Sequence, residues 1–136
     1  MARIKPLHRV KEIMDIFREI PEYQEGMRQQ SGPCLFTGNE HNYVGKIALT
    51  EVTGGTSGSR DMYEKLAHAG IGTIIGMHMT EEYKREADKH HLNIIIAGHM
   101  SSDSLGMNLI CDEFEKRGVE IIPCSGFIRI SRLKKK

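Results

Sequence analysis

Residues 92–106 read LNIIIAGHMSSDSLG, and the fold of the whole chain turns on them. Ile94, Ile95, Ile96 and Ala97 are apolar and mostly β-branched, the composition of a strand buried on both faces. Gly98 ends that run, and His99 stands at its C-terminal tip. Ser101 and Ser102 are helix-capping residue types, which predicts a helix opening near Asp103 and running to residue 117. The strand would then deliver an imidazole to the C-terminal edge of a sheet, where open α/β folds bind ligands. The helix would set a carboxylate four residues later, within reach of the same cation. The plainer reading makes His99 a loop residue and Asp103 a first-turn partner of the helix dipole, and spacing alone favours it.

The same alternation extends to both sides. Residues 46–52 predict a strand, 59–69 a helix, 72–76 a strand and 81–90 a helix, ahead of the strand at 92–97. Further strands are predicted at 119–122 and at 127–130, the latter at a sheet edge. Gly70 and Gly118 follow predicted helix ends, where a left-handed residue commonly closes a helix. Strands joined by helices of this length imply right-handed crossovers, hence a layered α/β domain with a mainly parallel or mixed sheet. Upstream, Val10, Ile13, Met14 and Phe17 mark one buried stripe of a helix over residues 7–20. Pro21 interrupts it, residues 22–30 form a second short helix, and the Gly- and Asn-rich stretch 31–42 reads as a loop. The chain divides into an N-terminal helical segment and loop (1–44), an α/β core (45–130) and a basic tail (131–136).

A length of 136 residues suits one domain with a real core. The net charge of +1 supplies no general attraction to nucleic acid or to acidic membrane, so neither is an expected partner. Cys34, Cys111 and Cys124 show no CxxC spacing and cannot all pair, which suits reduced thiols and a cytoplasmic setting. No apolar run reaches membrane-spanning length. Arg129, Arg132 and Lys134 to Lys136 lack interleaved aromatics and read as a solvated, frayed tail.

Three predicted strand ends point to one edge. The first is the turn TGGTSGS at residues 53–59, where Gly54, Gly55, Ser57, Gly58 and Ser59 could present backbone N–H groups and a helix N-terminus to an anion. It lacks the GK[ST] ending of a P-loop, and a tight structural turn explains it equally well. The second end holds His78, two residues after Gly76 as His99 is one after Gly98. If the two strands are neighbours, their tips lie about 5 Å apart and the imidazoles can share a cation. His78 reads equally as a substrate contact or a partner of Glu81 or Glu82, and Met77 and Met79 as packing. Two histidines and one aspartate are fewer donors than a complete metal site uses.

The motif GHMSSDSLGMNLICDEFEKRG, with GKIALTEVTGGTSGS and GIGTIIGMHMTEE before it, resembles the Nif-three-like family of dinuclear metal proteins, some labelled GTP cyclohydrolase I type 2 homologues. The resemblance runs from Gly45 to about Ile130 and corresponds to that family's C-terminal half. It implies a Nif-three-like fold in which His99 and Asp103 ligate divalent Zn, Fe or Mn, to which the strand-tip reading above adds His78. The centre would be dinuclear when the ligand set is complete, and the activity a cyclohydrolase-like, metal-dependent hydrolysis of a small phosphate-bearing or heterocyclic compound. Two departures stand out. Asp103 occupies a position where the family usually has Glu, and nothing in residues 1–43 resembles the His-His pair of the family's first half. The pair His90-His91 sits after a predicted helix and before a strand, a different context. The family also forms ring-like homo-oligomers, so the alternative implied is a non-catalytic assembly or regulatory module.

Overall fold

The structure, a computed structural model, describes residues 7–50 and 59–133. Among the described residues, five helices and four strands follow in the order α1 (Val10–Glu19), α2 (Pro21–Arg28), β1 (Cys34–Thr37), β2 (Lys46–Leu49), α3 (Asp61–His68), β3 (Ile71–Gly76), α4 (Glu81–Lys89), β4 (Asn93–Ile96) and α5 (His99–Glu115). The sheet order is β1-β4-β3-β2, with β2, β3 and β4 mutually parallel and β1 antiparallel to β4. The sheet is therefore mixed and mainly parallel.

Alternation along the strands builds a core on each face. Ile95 and Ala97 pack with Val10, Ile13, Met14 and Phe17 of α1 and Tyr23 of α2, while Ile75 and Leu105 close the same cluster. Ile94 and Ile74 turn the other way, onto Tyr63 of α3 and Ala87 of α4. From Ile94 to Ile96 the strand β4 is thus apolar because helices cover both its faces. Among the described residues no helix is long and apolar enough to cross a membrane.

Four local expectations are corrected. The stretch 31–42 is not all loop: Cys34 to Thr37 pair with β4 and form the antiparallel edge strand. Four residues between Pro33 and Gly38 carry almost no strand signal of their own, and the open edge of β4 decides their state. Strands predicted at 119–122 and 127–130 are not formed, and β1 and β2 are the sheet edges instead. The chain after α5 is held by side chains rather than by a ladder. Arg129 pairs with Asp112 and with Glu115 (2.7 Å), and Arg132 pairs with Glu22 (2.7 Å). These two arginines are accordingly no part of a frayed tail: the Arg129 side chain is only 11% exposed. Asn108, fully buried in α5, donates to Glu22 Oε1 (3.0 Å) and the Ile128 carbonyl (3.1 Å) and accepts from the Ile130 N–H (3.0 Å).

The last correction concerns α5. It starts at His99, four residues ahead of the predicted start, and Ser101 and Ser102 lie inside it. Gly98, at φ +97°, makes the break between strand and helix. Ser102 Oγ, instead of capping, donates back to the Gly98 carbonyl at 2.6 Å.

Candidate metal centre

Parallel pairing decides where the chemistry gathers. Gly76 and Ile96 are register partners, and the Ala97 N–H donates to the Gly76 carbonyl at 2.8 Å, so β3 and β4 end side by side. The chain leaves these ends through Met77-His78 and through Gly98-His99. The two imidazole rings consequently lie together, with centroids 5.6 Å apart and planes 30° from each other. The expectation that His78 and His99 share one edge of the sheet is met.

Starting the helix at His99 puts Asp103 one full turn along, on the same face. Its carboxylate Oδ2 stands 3.2 Å from His99 Nε2. Asp103 lies beyond the first turn of α5, which removes the simple dipole explanation for it. Both side chains are about half exposed, 44% for His99 and 56% for Asp103. The turn that aims His99 is closely packed. A Cβ on Gly98 would collide with the Ser31 carbonyl oxygen, and one on Gly32 would lie 2.9 Å from the Ala97 carbonyl oxygen. Only glycines let these two backbone segments cross. Tyr23 Oη, 3.2 Å from Ser102 Oγ, ties the first turn of α5 to α2.

Two donors held by one ion at bonds of about 2.0–2.1 Å and a near-tetrahedral angle stand roughly 3.3 Å apart. The His99–Asp103 separation matches that spacing, and a neutral imidazole with a carboxylate suits borderline divalent ions. The pair fits a cation as part of a shell. His78 adjoins without completing it: among the described residues no three His, Cys, Asp or Glu side chains are placed to hold one ion. A further polar atom at this edge is Thr50 Oγ1, just past β2, which is buried without a hydrogen-bond partner among the described residues. Sequence reasoning passed over Thr50, whose signal is a hydroxyl closing the apolar run KIALT. It also missed Tyr23, for which a contact spanning 79 residues leaves no local signal. Of the proposed anion loop, Gly54, Gly55, Ser57 and Gly58 lie outside the described residues. Ser59 is exposed, and its carbonyl accepts the Met62 N–H at the start of α3.

Over 82% of its length the chain superposes on a NIF3 superfamily protein from Sphaerobacter thermophilus, with 29% sequence identity and a TM-score of 0.66. Its fold is Nif-three-like. The reduced form of HcgD from Methanocaldococcus jannaschii also matches over 82% of the chain, with a TM-score of 0.56, and at 17% identity that likeness concerns fold alone. The chain spans 40% of the length of each of these proteins. No family model and no curated protein matches the sequence.

Proposed function

We propose that this Nif-three-like chain binds a divalent cation (Zn²⁺, Fe²⁺ or Mn²⁺) through His99 Nε2 and Asp103, with His78 as the adjoining donor. The observation that carries the proposal is the 3.2 Å approach of His99 Nε2 to Asp103 Oδ2 at the shared end of two parallel strands. The reaction class that goes with it is hydrolysis of a small phosphate-bearing or heterocyclic molecule in the cytoplasm, as the resemblance of its motifs to the Nif-three-like family implies. A divalent cation supplies Lewis acidity to such a hydrolysis. The chain's own residues contribute position. Gly98 and Gly32 fix the strand-to-helix turn, the helix register sets the carboxylate against the imidazole, and the His78 ring lies 5.6 Å from that of His99. Half exposure leaves the pair open to a substrate from solvent.

Metal analysis and titration calorimetry of wild type and His99→Ala test the proposal. Wild type should take up Zn²⁺ or Mn²⁺ weakly but stoichiometrically, because much of the shell is left to water, and His99→Ala should lose that uptake. Equal uptake by both proteins would remove the site.

A further inference from the structure

A cavity of about 160 Å³ lies between α2, the first turns of α5 and the chain at residues 126–130. It is on a different side of α5 from the metal pair. Met100 and Ser104 line it, each one residue past His99 and Asp103, and one residue turns an α-helix by about 100°. Met100, Ile128 and Ile130 give the cavity an apolar side, and Glu22, Glu25 and Ser101 a polar one. Among the described residues no lysine or arginine lines it.

Ser101 is 5% exposed, yet its hydroxyl has no hydrogen-bond partner among the described residues. A buried hydroxyl left unmatched is costly, and natural proteins hold few of them. A Cβ on Gly26 would collide with Ser101 Oγ, so the hydroxyl stands against the α2 backbone at the cavity wall. The Gly26 carbonyl is not its acceptor, being already bonded by the Ser31 N–H (2.8 Å) and the Ser31 hydroxyl (3.1 Å).

We propose that this cavity binds a small primary alkylammonium ion, with its N–H donors on the Glu25 carboxylate and Ser101 Oγ and its chain against Met100, Ile128 and Ile130. Each Glu25 carboxylate oxygen takes one bond, from Gln29 Nε2 (2.8 Å) or Arg28 Nη1 (2.9 Å), which leaves each a free lone pair. Those same two donors hold the Glu25 carboxyl below its usual range, so it is an anion at neutral pH. Glu22 is taken up by Arg132 and Asn108 and adds only its negative field. Carboxylates and no lining cation repel an anion, while a neutral alcohol leaves the charge of Glu25 unanswered. An ammonium group supplies three donors and the matching sign. A cavity of about 150 Å³ takes benzene, so a ligand of roughly six heavy atoms fits here.

Amide NMR titration of the nitrogen-labelled full chain with n-pentylammonium chloride, at neutral pH and fixed ionic strength, tests this. Saturable shifts should gather at Gly26, Ser101, Ile128 and Ile130, with a Kd in the millimolar range that so small a ligand allows. Pentanol and pentanoate, of the same chain length, should bind about tenfold more weakly or worse. Glu25→Gln should fold as wild type and lose the preference for the cation over the alcohol. Ser101→Ala should keep or raise Tm, because it removes an unmatched buried hydroxyl, and should still weaken pentylammonium binding. Shifts that rise without saturating, or equal binding of pentylammonium and pentanol, would overturn the proposal. So would a Ser101→Ala variant that binds pentylammonium as wild type does.

Discussion

Gly98 and Ser31 meet backbone to backbone, so closely that a Cβ on Gly98 would overlap the Ser31 carbonyl oxygen. The residues are far apart in sequence, and their contact is what aims His99. Gly98→Ala adds both this overlap and a side chain at φ +97°. It should cost about 2–4 kcal/mol of stability. Urea unfolding measures the loss, and metal titration of the surviving folded protein should show weakened binding as His99 shifts.

Substitutions at Asp103 separate charge from shape. Asp103→Asn keeps the outline and removes the anion, so cation affinity should fall by at least tenfold, about 1.4 kcal/mol or more. Asp103→Glu keeps the anion on a longer arm and should retain binding. Uptake should also fall on acidification, because protons compete with the cation for the imidazole. Calorimetry across these variants and at several pH values checks all three expectations.

Asn108 clamps the C-terminal segment to α5 with every polar atom of its side chain engaged. Asn108→Ala leaves the Ile130 N–H and one bond to the buried Glu22 unmatched and should cost about 2–3 kcal/mol. Residues 127–133 should at the same time become accessible to proteases. Hydrogen exchange should show the largest loss of protection at the Ile130 amide.

Acid should act on this same clamp. Burial pushes the Glu22 carboxyl up, but the Arg132 guanidinium, its own backbone and the Asn108 amide outweigh that and hold it below the usual range. The Arg129 guanidinium holds the Asp112 carboxyl below its usual range as well, against the opposing effect of burial. Carboxyls depressed in the folded state stabilise it above their unfolded pKa, and that contribution is lost as pH falls through the folded value. Stability should therefore be level near neutrality and decline from about pH 4 downward. Thermal melts of wild type and Glu22→Gln should show a shallower acid decline in the variant. Parallel curves would place the acid sensitivity elsewhere.

Elements whose signal is local were legible from the residues alone. The stripe Val10, Ile13, Met14, Phe17 specified α1, and the run Ile94 to Ala97 specified a strand covered on both faces, because side-chain periodicity is a property of the chain itself. Two strands of that kind separated by a helix pointed to parallel strands, but that they are neighbours, which sets His78 beside His99, was decided by the pairing of β3 with β4. What depended on distant partners was not legible. Cys34 to Thr37 became a strand because β4 had an unpaired edge, and Phe127 to Ile130 did not, because Asn108, Asp112 and Glu115 hold that segment by its side chains. The start of α5 moved to His99 because Gly98 must pass Ser31, a contact no short window of sequence contains. That shift of one helical turn separates a carboxylate that answers a helix dipole from one that stands 3.2 Å from an imidazole, and only tertiary packing could decide it.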